Sequence, residues 1–526
     1  MEIIKFNRNF IKIKDLNLIL KIVLILFLSA WFSIFILQKI DLTTSDLGRH
    51  IKNGEMVLKG NFGVLKTNFY SYTEPQYFFL NHHWLSGVIF YLIFKIINFK
   101  GLHLLYLIFY ILTFLMFFIL AYKISGFKNA FLFSLFLIPL VTYRKEIRPE
   151  IFSYLFSGLF FYVLWLYQKE LISKKYLFVL PAVVIFWVNL HIYFILGFAL
   201  IGIFLFENLL LKNKEKIKTL ILVLVLSVVG ALITPFGVRG LIYPFRIFQN
   251  YGYKLVENQS VLFLENLNFY RPEFLIFKIV LILTLLSFIL VLIKSKKSFV
   301  ISNFILICFL GIWTFFAIRN ITLFGFFALP VLSYNFKIFE DNLREKFKFV
   351  FKFLFLILIF VLIIFSYFKY FSFYKNSFNF GLGILDGNNL GGLFLKANKI
   401  LGPIFNNYDI GSYLIYYLYP KEKVFVDNRP EAYSESFFKD IYILMQENEE
   451  IWQFYDKKHD FNAIVFGYHD LTPWAQNFLA KRINDLKWAP VFVDNYIIIF
   501  LKRNEINKDI ILKYELPKEI FNVKSK

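Results

Sequence analysis

Asp46 stands in Asp41-Leu-Thr-Thr-Ser-Asp46-Leu-Gly-Arg49-His50, a polar stretch just beyond the first long apolar run of the chain. A carboxylate held at a membrane surface can take the proton of a substrate hydroxyl, because partial desolvation raises its basicity. Asp46 also suits the N-cap of a helix over Leu47–Leu58, a position that Asp favours, and the two roles are compatible. Asn81-His82-His83-Trp84 sets two histidines side by side. Adjacent residues point to different sides of a regular element, and no His-x-x-x-His spacing occurs, so zinc is a poor reading and no cofactor is expected. Tyr143-Arg-Lys-Glu-Ile-Arg148-Pro-Glu150 gathers three cations that suit a phosphate, whether of ordinary lipid or of a lipid-linked substrate. Trp187-Val-Asn189-Leu-His191 parts two apolar runs with almost no loop, so it is a tight turn or a helix break, and polar groups at such breaks line cavities. Taken singly, each Arg is more often a headgroup anchor and each His a satisfied polar residue. Only a shared side of the membrane makes them a site.

The elements that must position these residues are membrane helices. The 526 residues are 58% hydrophobic and 18% charged, with 72 Phe, against about 25% charged in an average soluble domain. A net charge of +22 would suggest nucleic acid in a soluble protein. Here the basic residues cluster between apolar runs, the pattern that orients a multi-pass protein. The single cysteine, Cys308, excludes an intrachain disulfide and any cysteine-based metal site.

Spanning helices need about 20 apolar residues. Long candidates are Leu18–Leu37, Gly101–Tyr122, Ile151–Tyr167, Ile192–Leu211, Thr219–Thr234, Leu275–Ile293, Val300–Phe316 and Phe349–Phe368. Shorter ones are Asn129–Tyr143, Tyr176–Val188 and Ile321–Tyr334. Lys5, Arg8, Lys12 and Lys14 predict a cytoplasmic N-terminus. The loops with Lys123/Lys128, Lys169/Lys174/Lys175, Lys212/Lys214/Lys216/Lys218, Lys294/Lys296/Lys297 and Lys337/Arg344/Lys346/Lys348 are then cytoplasmic too, provided that Trp84–Asn98 lies at the interface rather than crossing. About eleven transmembrane helices follow, in a multi-pass protein of the plasma (inner) membrane with its C-terminal part outside. Residues 1–370 form the membrane domain, with outer loops 38–100 and 235–272. Residues 371–526, where Asn, Asp, Gly and Pro return, form a soluble extracytoplasmic α/β domain. There, Lys423–Asp427 and Phe461–Phe466 read as strands, Thr472-Pro473 as the start of a helix Trp474–Leu486, and Val491–Leu501 as a hairpin turning at Asp494-Asn495. On this topology Asp46, Arg49, His82, His83, Arg148, Asn189, His191, Arg319 and Asn320 all fall on the outer face.

Read together, these stretches resemble a family. Ser45-Asp46-Leu-Gly-Arg49-His50, Thr67-Asn-Phe-Tyr-Ser-Tyr-Thr73, Asn81-His-His-Trp-Leu85, Arg148-Pro149, Trp187–His191, Thr234-Pro-Phe-Gly237, Arg319-Asn320, Asn407–Tyr413 and Val426-Asp427-Asn-Arg429-Pro-Glu-Ala-Tyr433 are similar, in order, to motifs of the GT-C membrane glycosyltransferases. The likeness is to the bacterial branch related to dolichyl-phosphate-mannose mannosyltransferases. It departs at His83, where the family often has an acidic residue, and at Leu47-Gly48, where two aromatics are common. The resemblance implies a GT-C-like fold and a cell-envelope enzyme, a hexosyl- or pentosyltransferase. It would move a sugar from a polyprenyl-phosphate donor to an extracytoplasmic glycan, lipid or protein acceptor, inverting the anomeric centre. It implies Asp46 as the base and Arg49, His82, His83, Arg148, Asn189, His191, Arg319, Asn320, Asp427 and Arg429 as substrate-binding candidates. Asp427 and Arg429 equally suit a local ion pair that fixes a loop. A transporter or flippase of a lipid-linked or anionic solute is the rival, but it would usually carry internal repeats, and none is visible.

Overall fold

The computed structural model describes residues 13–246, 250–343 and 345–521. The side chains of Lys5, Arg8, Lys12, Lys14, Arg344 and Lys346, counted above among the orienting charges, lie outside that description. Among the described residues, seven helices are long and apolar enough to cross a membrane: Asn17–Ile36, Trp84–Ser125, Glu150–Gln168, Ile192–Leu210, Pro272–Lys294, Ile318–Asp341 and Lys348–Tyr374. Many of their exposed side chains are Leu, Ile and Phe, such as Leu26, Leu112, Ile282 and Phe360. So much exposed apolar surface is tolerable only against lipid. The chain is a multi-pass membrane protein.

The eleven expected spans do not all become long helices. Phe127–Val141 and Ile301–Phe316 are apolar but short. Tyr176–Val188 falls on a 12-residue helix, Val179–Leu190, about 18 Å long against the roughly 30 Å of a hydrocarbon core. Thr219–Thr234 falls on Lys214–Ala231, whose opening turns hold Lys214, Glu215, Lys216 and Lys218. Trp84–Asn98 and Gly101–Tyr122, expected as separate pieces, are arms of one 42-residue run broken at Asn98 (φ 57°, ψ −155°).

The chain forms two compact units: residues 1–37, 107–145 and 257–380, and residues 38–106, 146–256 and 381–526. In the first, the helix Ile321–Asp341 packs between Pro272–Lys294 and Phe127–Val141. In the second, Val179–Leu190, Ile195–Leu210 and Lys214–Ala231 form one helical group.

The second unit also holds a four-stranded sheet, in the order β1 (Ile404–Asn406), β2 (Ala463–Gly467), β4 (Ile497–Lys502), β3 (Trp488–Val493). β1 and β2 are parallel and the other pairs antiparallel. The hairpin turns as its sequence dictates: the Asp494 carboxylate accepts from the Tyr496 and Ile497 N–H at 2.7 and 2.8 Å, an Asx turn. Lys423–Asp427 is not a strand; Val424 makes only isolated bridges to Ser71 and Ile404. The helix after Pro473 runs Ala475–Asn484, and Thr472 is itself held by Asp470. Aromatic side chains dominate the core under the sheet, with Phe405, Phe425, Trp452, Phe461, Phe466 and Phe478 all buried.

Residues 38–73 are sewn to the C-terminal segment of this unit. Lys39 pairs with Asp386 at 2.8 Å, the Leu42 N–H donates to Asn388 Oδ1 at 2.7 Å, and the Ser71 and Thr73 hydroxyls donate to the Phe425 carbonyl. The helix Leu47–Leu58 lies against Gly411–Leu418. Gly48 permits the approach, since a Cβ there would stand 2.8 Å from the Ser412 carbonyl oxygen.

Candidate active site

Asp46 occupies the N-cap position of Leu47–Leu58, but its side chain makes no capping bond. The carboxylate faces other partners instead. Its Oδ2 lies 3.3 Å from Arg148 Nη1 and its Oδ1 lies 3.9 Å from Arg49 Nη2. Oδ1 also accepts from the Asn428 side-chain amide. Asp46 keeps 20% of its side chain exposed while Arg49 is buried. Three segments far apart in sequence thus meet on one carboxylate, which remains reachable. Asp41, the nearest acidic competitor, accepts from the Thr43 N–H and Oγ1 and from Asn388 Nδ2, so it shapes its own loop.

Histidines gather beside this cluster. His82 and His83 precede the helix at Trp84 rather than lying within it, so nothing forces them to opposite sides. Their ring centroids are 3.8 Å apart. His83 stacks on His191 at 5.1 Å and meets His50 edge-on at 5.5 Å. Burial, with the neighbouring histidines and Arg49, pushes His83 well below the usual imidazole range. His50 falls likewise through burial and then Arg49 and Arg148. Both shifts favour the neutral ring. His191 is extended (φ −161°, ψ 145°) and forms the tight turn between two helices. Its Nδ1 shares a 2.8 Å hydrogen bond with Ser153 Oγ, which also accepts from Trp187 Nε1 at 2.7 Å. Among the described residues, no group of three or more His, Cys, Asp or Glu side chains could hold a metal ion.

Asn189 is committed to the scaffold. Its amide donates to the Ile185 and Ile233 carbonyls and its Oδ1 accepts from Trp84 Nε1, each at 2.8 Å. Asp427 and Arg429 form a buried bidentate pair, with Nε to Oδ1 at 2.7 Å and Nη2 to Oδ2 at 2.5 Å. Arg429 also donates to Asn68 Oδ1 at 3.0 Å and lies over the rings of Tyr70 and Phe79. This is the loop-fixing arrangement. Between the two sits Asn428, which carries the contact to Asp46 and also accepts from Arg49 Nε at 3.5 Å.

The three cations of the Tyr143–Glu150 stretch take different partners. Arg148 reaches Asp46 and Glu146, Arg144 pairs with Glu257 at 3.0 Å, and the Lys145 ammonium stands 4.5 Å from the Tyr374 ring centroid. Arg319 and Asn320 belong to the first unit. Arg319 Nη1 lies 3.5 Å from Glu257 and donates to Asn258 Oδ1, and Asn320 is buried and donates to the Trp313 carbonyl.

Asn428, Asp409 and Glu431 escape a reading by motif. Asp409 is pushed up to about 7 by burial and by the negative charges of Asp470 and Asp46. Glu431 is raised by burial, against the opposing pull of Arg49 and Arg429. The only hint in the sequence was their place inside stretches already picked out.

No sequence-family model matches the chain, and neither does any curated protein. Its fold does match solved structures. The archaeal oligosaccharyltransferase AglB from Archaeoglobus fulgidus, in complex with an inhibitory peptide and a dolichol-phosphate, superposes with a TM-score of 0.61 at 11% identity, over 90% of this chain and 73% of that one. ArnT from Cupriavidus metallidurans bound to undecaprenyl phosphate gives 0.51 at 12% identity, over 93% and 98%. The apo state of ArnT gives 0.53 at 11%, over 96% and 99%. At such identities the likeness is one of architecture alone: the chain shares its fold with AglB and ArnT, as the GT-C resemblance implied.

Proposed function

We propose that this protein is a glycosyltransferase that moves one sugar from a polyprenyl-phosphate carrier to an acceptor hydroxyl outside the plasma membrane. The observation that carries the reading is the Asp46 carboxylate, partly exposed and left uncapped, between Arg148, Arg49 and Asn428. The fold supports it, since ArnT with this architecture is known bound to undecaprenyl phosphate and AglB to a dolichol-phosphate.

The chemistry is a single displacement. The acceptor oxygen attacks the anomeric carbon, its proton passes to Asp46, and the bond from that carbon to the phosphate oxygen breaks. The configuration inverts. Polyprenyl phosphate leaves as an anion, so no general acid is required, and Arg148 and Arg49 stabilise the charge that develops on it. His82 and His83, their ring centroids 3.8 Å apart, line the approach as hydrogen-bonding rings. His191, tied to Ser153, and Asn189, tied to two backbone carbonyls, position the turn that carries them. The N-terminus is cytoplasmic, and the segment after Phe368 is extracytoplasmic.

The test is incubation of the purified protein in nanodiscs with a panel of polyprenyl-phosphate hexoses and pentoses, scoring donor consumption and polyprenyl phosphate release. Consumption of at least one donor supports the reading. Inertness towards the whole panel, alongside transport of a lipid-linked solute across sealed vesicles, would move the protein to the transporter class.

A further inference from the structure

A cavity of about 730 Å³ opens beside the histidines, within the second unit, and Tyr77, Tyr243, Tyr251 and Tyr433 line it together with Glu431. Its size falls in the roughly 300–1,000 Å³ range of small-ligand sites. Tyrosine suits a saccharide on two counts. The ring face accepts the C–H side of a pyranose, and the phenol both donates to and accepts from hydroxyls.

The cavity also carries two cations, Arg239 and Arg246. Among the described residues neither makes an ion pair, and the Arg239 guanidinium stacks over the Phe78 ring at 5.5 Å. The carboxylates nearby are engaged elsewhere. Glu435 is bound to Lys439 and to Asn250, and Glu431 feels Arg49 and Arg429. Two guanidinium groups beside a tyrosine wall, with no counter-ion of their own, call for an anion on the ligand.

The cavity joins the proposed catalytic cluster at two points. The Tyr243 ring lies 5.1 Å from His82, and the Tyr433 hydroxyl accepts from the Asp427 N–H at 3.0 Å. We infer that this cavity is the acceptor site and that it takes a pyranoside bearing a carboxylate or a phosphate, its ring against the tyrosines and its anion on Arg239 and Arg246. The inference rests on the transferase reading above.

The experiment uses the full chain in phosphatidylcholine nanodiscs, titrated by saturation-transfer NMR with methyl β-glucuronoside, glucose 6-phosphate, methyl β-glucoside and inorganic phosphate. The two charged sugars should bind about tenfold tighter than the glucoside. The Arg239→Gln/Arg246→Gln variant should lose about that tenfold and leave glucoside binding unchanged. Both substitutions are on exposed side chains, and thermal unfolding at the wild-type temperature confirms an intact fold. Equal binding of charged and neutral sugars overturns the inference. So does inorganic phosphate binding as tightly as glucose 6-phosphate, which would mark a bare anion site. Displacement of the sugars by phosphatidylglycerol discs would instead assign the arginines to lipid headgroups, a role that the exposed Val238, Ile242 and Phe245 on the same segment also fit. A parallel donor-consumption assay separates the two claims. Sugar binding without donor consumption removes the transferase reading and leaves a saccharide cavity, whereas consumption with no sugar binding does the reverse.

Discussion

Replacing Arg429 with Met removes one partner of an ion pair whose side chains are 1% and 0% exposed. The Asp427 carboxylate would then lie buried with the Tyr433 hydroxyl, 3.4 Å away, as its remaining hydrogen-bond partner. Stranding a buried charge in this way costs about 3–5 kcal/mol. At 1.36 kcal/mol per decade that is a roughly 150- to 5,000-fold rise in the population of the open state. The β1 and β2 amides report it, because Asn406 ties β1 to this loop through the Val426 carbonyl and the Phe425 N–H. Hydrogen–deuterium exchange in nanodiscs should therefore show those amides exchanging faster by about that factor. Adding Asp427→Asn removes the stranded charge. What remains is the lost hydrogen bonding, about 1–2 kcal/mol, so the double variant should exchange only about 5- to 30-fold faster than wild type. A single variant that exchanges within about fivefold of wild type, or a double variant no better than the single, would refute this reasoning. It would also return Arg429 to the candidates for acceptor contact, where Arg429→Ala would weaken acceptor use and spare donor binding.

Other outcomes follow from the same geometry. Arg148→Gln should lower donor turnover by about 10²–10³-fold, as loss of one charge-stabilising donor does, while loss of the pair with Asp46, whose side chains keep 18% and 20% of their surface exposed, changes stability by about 1 kcal/mol; single-turnover kinetics and thermal melts measure the two separately. Asp409 is pushed up to about 7, above its unfolded value of 3.8, so its contribution to stability is full below the unfolded value and is lost as pH rises through 7. Asp409→Asn should match wild type near pH 4 in thermal unfolding, gain on it progressively towards pH 7, and hold that gain above. For topology, in a Cys308→Ser background, cysteine at Leu471, which is 92% exposed, should react with an impermeant maleimide in intact cells, whereas cysteine at Lys214 should not; the opposite pattern reverses the orientation.

Hydropathy carried the membrane class and most helix positions, because twenty apolar residues have few alternatives. The helix Leu47–Leu58 and the Asp494 hairpin were equally legible: the Asx turn acts within a few positions, and the helix starts directly after Asp46 even though that side chain makes no capping bond. What the sequence could not convey is which far-apart side chains share a partner. Asp46 looked as much like a cap as a base; the structure shows no capping bond and sets Arg148 and Asn428 against the carboxylate, contacts that no local pattern foretells. The histidine cluster was hidden for the same reason: His50, His82, His83 and His191 lie on three segments, and an alternation rule for regular elements does not hold in the turn before Trp84. At Asn98 the division was legible but the continuity was not: the two segments expected on either side of it are arms of one run that breaks at a single residue.

The central claim is that the Asp46 carboxylate takes the acceptor's proton. The direct measurement is polyprenyl phosphate release by wild type and Asp46→Asn in matched nanodiscs, with a donor that the wild type consumes. Asn keeps the size of the side chain, and no capping bond is at stake, so the variant should fold and bind donor as wild type does. Its turnover should fall by about 10²–10⁴-fold, the usual worth of a positioned base. Near-full turnover by Asp46→Asn would contradict the claim and remove Asp46 from the mechanism.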